Sequence, residues 1–342
     1  MNKFLKNKPV KWVALVFAVL LVYLGYTLFF PNISPSKGEK AYLCIPENSS
    51  FDDVVSRLKD NASVYNSFSF RQAATLLRYK KVKAGRYEIS GAMSNFSLIR
   101  KLRSGRQIPV KLTFNNIRTK EQLAGRLAGQ LMTDSTSILK LLNDSAYLAK
   151  FQLDSNTSVA LFIPNTYEVF WNINAYQLFD RMYKEYQRFW TPERIAKADA
   201  IPLTQVQVAT LASIVEEESN SRTDRPMVAG LYINRLKAGM PLQADPTIKF
   251  ALKNFELKRI LFEHLRVKSP YNTYKNEGLP PGPIRVASPA GIDAVLNYVH
   301  HDYMYMCANA TLNGMHEFAA TYNEHEANAK KYQEALNRLN IK

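Results

Sequence analysis

Val208-Ala209-Thr210-Leu211-Ala212-Ser213-Ile214-Val215-Glu216-Glu217-Glu218-Ser219-Asn220 is the stretch on which the reading of this chain turns. Its apolar spacing predicts a helix from about 204 to 219, with Val208, Leu211, Ala212 and Val215 on one stripe. At about 100° per residue, Glu217 points away from that stripe toward solvent, while Glu216 and Glu218 flank it on opposite edges. Glu218 has Val215 and Ile214 one turn back, whereas Glu216 has Ser213 and Ala212. The more apolar setting therefore belongs to Glu218, and desolvation moves a carboxylic acid toward the range a general acid needs. Three carboxylates at the end of a helix work against its dipole. Three glutamates there also read as an ordinary solvated helix end.

Outward from this helix, the C-terminal side predicts a helix at 225–238, a loop-rich stretch with Pro and aromatic residues through Pro289, a helix at 290–299, a strand at 303–308 and a polar helix from about Thr321. On the N-terminal side, helices are expected at 119–131, 135–143 and 175–190, with the apolar run Leu161–Val169 between the last two. Further back, Lys40–Pro46 reads as a strand leading through Asn48-Ser49-Ser50 into a helix carrying Val54, Val55 and Leu58. A helix at 70–79, a strand at 83–89, a helix at 94–102 stopped by Gly105 and a strand at 110–114 follow. The expected class is α+β, with residues 40–113 as a small subdomain and 114–342 as a larger one.

Trp12 to Phe30 holds 19 consecutive uncharged residues, about 28 Å of helix, enough for a hydrocarbon core of about 30 Å. Lys3, Lys6, Lys8 and Lys11 precede it, and no Lys or Arg follows until Lys37. The asymmetry predicts a single-pass anchor with residues 1–11 cytoplasmic and everything after Phe30 outside. The run exceeds a signal-peptide core and has no small-x-small exit, so it reads as uncleaved. Residues 31–39, rich in Pro, Ser and Gly, read as a linker.

Composition is ordinary for a globular chain: 342 residues, 46% hydrophobic and 22% charged, which excludes disorder and fibrous classes. The formal charge of +16 favours polyanionic partners. Its clearest concentration, residues 78–111, carries ten Lys and Arg against Glu88 alone, net +9. Outside a membrane, envelope polymers and lipid headgroups are the available anions, and nucleic acid is not an expected partner. A solvated basic face is the plainer reading. Cys44 and Cys307 make neither a disulfide framework nor a Cys-based zinc site, and His300-His301 lacks acidic partners, so no metal or other cofactor is expected.

Residues 211–219, Asn234-Arg235-Leu236, Leu242-Gln243-Ala244-Asp245-Pro246-Thr247, Tyr271-Asn272-Thr273-Tyr274, Gly278–Ile284, and His316-x-Phe318 followed by Glu324-His325 together resemble the endolytic murein transglycosylase (MltG, YceG-like) family, in the family's order and over residues 40–335. The resemblance implies cleavage of the β-1,4 bond between N-acetylmuramic acid and N-acetylglucosamine inside peptidoglycan strands. The muramyl C6 hydroxyl then attacks C1, leaving a 1,6-anhydro end. One glutamate serves as acid and then base, a role assigned to Glu218 with Glu216 as second choice. The resemblance also implies trimming or termination of nascent strands, with cell-wall synthases as candidate partners, and a location in the bacterial inner membrane with the catalytic domain in the periplasm. Residues 40–113 resemble a LysM module, a βααβ unit that binds peptidoglycan in other proteins.

The same resemblance places Gln243, Asp245, Thr247, Tyr271, Asn272, Tyr274 and Asn165 at the substrate. Tyr and Asn suit sugars, through ring packing and amide hydrogen bonds, and are equally common in loops. Asp245-Pro246-Thr247 also reads as a turn with a helix cap. Asn165 stands where relatives carry Asp, which removes a carboxylate. Two further readings stay open: a non-catalytic peptidoglycan-binding scaffold, and a hydrolytic muramidase using Glu218 and Asp245.

Overall fold

The computed structural model describes residues 8–338. Lys3 and Lys6, and with them most of the expected cytoplasmic tail 1–11, lie outside the described residues. The chain divides into two compact units, one built on residues 1–112 with 130–133 and 167–174, the other on the remainder.

The first unit begins with α1 (Lys8–Phe29), whose Val10–Phe29 segment has a mean hydropathy of 2.2 and leaves most of its apolar side chains uncovered. Where a linker was expected, Pro31–Pro35 forms β1. It is the middle strand of an antiparallel sheet, with β3 (Ala62–Val64) on one side and β5 (Met93–Ser94) on the other. Its prolines occupy the strand ends, where a missing N–H costs the ladder least. Ile33 between them is buried, and the neighbouring Asn32 amide bridges Asn66 and Asn95.

A second pair joins β2 (Lys40–Ile45) to β4 (Gly85–Ser90) antiparallel, from Lys40 opposite Ser90 to Ile45 opposite Gly85. Between them run α2 (Phe51–Asn61), started by a Ser50–Asp53 capping box, and α3 (Ser67–Leu76), capped by Asn66. The sheet residues Leu43, Ile45, Tyr87 and Ile89 close on Val54, Leu58 and Phe70 from these helices. Leu98, Ile99 and Leu102 of α4 (Asn95–Ser104) complete that core, each burial stabilising by about 1.5–3 kcal/mol. Gly105 ends α4 at φ +75°, a conformation that other residues rarely adopt. β6 (Pro109–Thr113) follows.

The second unit is mainly helical. It opens with α5 (Lys120–Ala128), α6 (Ser135–Asn143) and α7 (Ser145–Leu148), capped by Thr119, Asp134 and Asp144. After 3-10 turns at Ala149–Phe151 and Ser158–Leu161 the chain returns to the first unit, where β7 (Thr166–Phe170) pairs with β6. Then come α8 (Ala175–Phe189), α9 (Pro192–Ala200), α10 (Gln205–Glu218), α11 (Arg225–Lys237), α12 (Asp245–Ala251) and α13 (Pro289–Leu296). A hairpin of β8 (Tyr305–Ala308) and β9 (His316–Ala319) precedes α14 (Tyr322–Arg338).

α10 is the axis of this unit. It starts at a Thr204–Gln207 capping box and contacts α11, α12 and α13. Every residue from Val208 to Glu216 is buried, so that stretch of the helix has no solvent face. That corrects the phase argument for Glu217: 100° stepping away from an apolar stripe reaches solvent only on an amphipathic helix, and this one is covered on all sides.

Candidate active site

The last turn of α10 sends three consecutive carboxylates to different surroundings. Glu216 is buried and accepts hydrogen bonds from the backbone N–H (2.9 Å) and the hydroxyl of Ser288, the residue that caps α13. Arg225 Nη1 lies 3.5 Å from its Oε1 and Arg285 Nε 4.0 Å from its Oε2. A Cβ at position 291 would stand 2.5 Å from the Glu216 carboxyl carbon, so glycine at that position is what lets α13 approach.

Glu217, expected in solvent, is instead gripped by two arginines. Arg118 donates to both of its oxygens, Nε at 3.1 Å and Nη2 at 3.0 Å, and Arg285 Nη1 donates at 2.8 Å. This bidentate pairing neutralises a carboxylate that the helix cannot expose.

Glu218 differs from both. It lies on the wall of a cavity of about 320 Å³, shared with Tyr232, Arg235, Gln243, Asp245, Tyr274, Tyr305 and His316. Its hydrogen-bond donor is neutral: the buried Tyr232 hydroxyl, on α11, donates to Oε1 at 2.8 Å. Burial pushes its pKa up from the ordinary 4.5 to about 7, and the negative charge of Asp245 acts in the same direction. The Tyr232 hydrogen bond and the charges of His316 and Lys249 pull against that rise.

Of the residues expected at the substrate, Gln243, Asp245 and Tyr274 line this cavity with Glu218. The Tyr274 hydroxyl donates to Asp245 Oδ1 at 2.5 Å, and burial together with that carboxylate raises the tyrosine well above its usual range. Gln243 has a left-handed backbone (φ +53°), and its Oε1 accepts from Arg235 Nη1 at 3.4 Å.

Thr247 and Asn272 have no exposed surface with which to touch a ligand, which corrects their expected contact role. Their hydrogen bonds hold together the segments that carry Asp245 and Tyr274. Thr247 Oγ1 donates to the Ala244 carbonyl at 2.7 Å and meets Thr273 Oγ1 at 2.8 Å. Asn272 donates to the carbonyls of Leu265 and Val267 and accepts from Tyr274 N–H. Tyr271 packs on Phe250 at 4.8 Å and Asn165 turns back to accept from the next N–H at 2.7 Å; neither is on the cavity wall.

Other cavity groups were not among the expected site residues, although Arg235 and His316 stand in the motifs quoted above. Tyr232 and Arg235 come from α11. The Arg235 guanidinium is fixed by the carbonyls of Met304 (2.7 Å) and Leu242 (2.8 Å), a cation held without a carboxylate. His316, known only as part of a motif, is clasped by the buried Asp224, which accepts from its N–H at 3.2 Å and meets Nδ1 at 2.7 Å. Burial opposes charge on both, yet the pairing outweighs it: Asp224 is held below its usual range and His316 above. Two carboxyls, the Arg235 guanidinium, the His316 imidazole and four tyrosines thus line one polar cavity. Such a set can donate a proton, take it back and hold a neutral polyhydroxyl ligand.

The YceG-like family profile matches residues 43–331. An endolytic murein transglycosylase of Bacillus subtilis is 29% identical over 310 residues, 86% of this chain and 85% of that protein. An enzyme of the same name from Streptococcus pneumoniae is 28% identical, over 93% of this chain and 64% of its own length. The crystal structure of a YceG-like protein from Listeria monocytogenes superposes with a TM-score of 0.57 at 29% identity, covering 84% of this chain and 98% of the other. With most of its length matched, including α10 and every residue of the cavity, the chain belongs to the YceG-like family.

Proposed function

We propose that the chain is a membrane-anchored endolytic lytic transglycosylase that cleaves the MurNAc-β-1,4-GlcNAc bond within peptidoglycan strands. The names of its relatives support the substrate and reaction class. The observation that carries the assignment to a residue is Glu218: the carboxyl of the α10 triplet on the cavity wall, with a neutral hydrogen-bond donor and a pKa near 7.

In this reading, protonated Glu218 gives its proton to O4 of the leaving N-acetylglucosamine as the C1–O4 bond breaks. The muramyl C6 oxygen bonds to C1, and the C6 hydroxyl proton passes to the Glu218 carboxylate. The acid is thereby restored without water, and the product carries a 1,6-anhydro end. Asp245, oriented by Tyr274, and Gln243, steadied by Arg235, hold the glycan, and Tyr305 offers a ring. Glu216, the second choice for the acid, is engaged by Ser288 and two arginines, which suits it to structure. Asn165 and Tyr271 reach the glycan only where a long strand extends beyond this cavity.

The anchor reading takes α1 through the cytoplasmic membrane, with the N-terminus inside and both units in the periplasm, where the enzyme trims or terminates nascent strands. The antiparallel pairing of β2 with β4 around α2 and α3, with the short β3 between those helices, supports a LysM-like module that adds affinity for the wall.

Digestion of isolated sacculi with mass spectrometry of the muropeptides tests the proposal: anhydro ends are expected, and must vanish in Glu218→Gln. Asp245 shares the cavity and interacts with Glu218, which favours a second reading, hydrolysis with Asp245 as base. Reducing ends in place of anhydro ends would select it.

A further inference from the structure

The last turns of α1 are clasped by the first unit. Tyr23 Oη donates to Gln72 Oε1 of α3 at 2.6 Å, Asn95 Nδ2 of α4 donates to the Thr27 carbonyl at 2.8 Å, and the Phe29 and Phe96 rings meet at 5.2 Å. Tyr23 stands six residues inside the apolar run, about 9 Å of helix from Phe29. The run Val10–Phe29 has 20 residues, about 30 Å, with little length to spare against a hydrocarbon core of about 30 Å. Seating it fully therefore draws α3 and α4 to headgroup depth.

What those helices present there fits that depth. Phe68, Gln72 and Leu76 stand four residues apart on one face of α3. Gln72 takes the bond from the anchor, while Phe68 and Leu76 beside it are 66% and 51% exposed. On α4, the face of Phe96 continues through Arg100 and Arg103, both exposed. A cavity of about 400 Å³ opens there, floored by Leu77, Phe96 and Ile99 and rimmed by the two arginines. No Asp or Glu occurs from 89 to 111 to neutralise them.

We propose that this face binds anionic phospholipid in the leaflet from which α1 emerges, with phosphate on Arg100 and Arg103 and acyl chain along Leu77, Phe96 and Ile99. The inference rests on reading α1 as a membrane span. An apolar floor continuous with an anchor helix suits a lipid, whereas an anionic wall polymer would use only the charged rim.

The test is electron spin resonance of the full chain reconstituted in phosphatidylcholine bilayers with a trace of spin-labelled phosphatidylglycerol or phosphatidylcholine. The immobilised fraction should favour phosphatidylglycerol, by about 5-fold for each arginine engaged, and the preference should shrink as salt rises. Arg100→Gln with Arg103→Gln should bring the ratio near one while leaving cleavage of soluble glycan in detergent unchanged. Phe68→Ser with Leu76→Ser should lower immobilisation of both lipids and keep the preference. Equal association of both lipids with the wild-type chain overturns the proposal. So does an arginine variant that keeps the lipid preference and instead loses retention on lipid-free sacculi, which assigns the face to wall polymer. Release of the chain from membranes by alkaline carbonate overturns the span and this contact together; retention with no lipid preference overturns the contact alone.

Discussion

The two sides of the α10 terminus make opposite use of the same residue type. On one side, Glu216 and Glu217 meet Ser288, Arg118, Arg225 and Arg285, so their charge is compensated where it is buried. On the other, Glu218 meets a tyrosine hydroxyl and the like charge of Asp245. A buried carboxylate surrounded by donors and cations is a structural group, whereas one with a single neutral donor holds its proton near neutral pH. Burial raises the Glu218 pKa where the one hydrogen-bond donor is neutral, whereas Glu216 and Glu217 meet guanidinium groups.

The strongest way to break that comparison is Glu218→Gln, which keeps shape and the Tyr232 hydrogen bond but removes the titrating proton. General acid–base assistance is worth about 10²–10⁴-fold, so anhydro-muropeptide release should fall by at least about 100-fold. Retention of wild-type activity would remove Glu218 from the chemistry. The substitution should also stabilise the fold at alkaline pH. Because the folded-state pKa lies above the ordinary 4.5, the folded state holds the extra proton between 4.5 and about 7, and stability falls as pH rises through that window. At pH 8 the Gln variant should resist denaturant better than wild type by roughly 1–3 kcal/mol, and at pH 4 by nothing measurable.

The other side should fail through stability. Glu216→Ala leaves Ser288 without its acceptor and Arg225 and Arg285 without a counter-charge, a loss on the order of 3–5 kcal/mol in chemical unfolding. Glu217→Gln should cost about 1.5–3 kcal/mol, since two guanidinium groups lose their charged acceptor. A stable Glu216→Ala variant with lost activity would reverse the roles given to Glu216 and Glu218.

Much of this division was legible in the sequence, and the part that was not has definite causes. The α6 boundaries follow from Asp134 as cap and the helical phase of Ile138, Leu141 and Leu142. The carboxyl with the most apolar preceding turn, Glu218, is the one whose pKa burial raises. The error over Glu217 came from treating α10 as amphipathic, when its second face is covered by elements far along the chain. The linker reading of 31–39 failed at β1 for the same reason: its partners β3 and β5 lie 30 and 60 residues downstream. Tyr232, 14 residues beyond Glu218, and the Asp224–His316 pair, 92 apart, depend on packing that no local pattern encodes. Gln243, Asp245 and Tyr274 reached the cavity, while Thr247 and Asn272 reached its scaffold, because residue type and motif order do not say which side of a loop faces in.

A milder test sharpens the comparison through pH alone. Glu218 must be protonated to act as acid, so kcat/KM should be level below about pH 7 and fall nearly tenfold per unit above it. An alkaline limb near pH 5, the ordinary carboxyl range, would mean that the cavity does not hold the proton on this group.

The smallest expected effect is the most specific. The Tyr232 hydroxyl donates to Glu218 and so favours the carboxylate, which makes it a brake on the raised pKa. Tyr232→Phe removes the donor with little change of shape. Two consequences of opposite sign follow. Below pH 7, where Glu218 is protonated in both proteins, the variant should be slower by about 2–10-fold, the worth of one positioning hydrogen bond. Above pH 7 its alkaline limb should move upward by up to about one unit, because the acid form has lost its competitor. The two rate profiles should therefore converge on the alkaline side, with the variant nearing or overtaking wild type around pH 8–9. A purely structural role for Tyr232 would lower the whole profile in parallel, and a limb that moves downward would show that the hydroxyl stabilises the proton on Glu218.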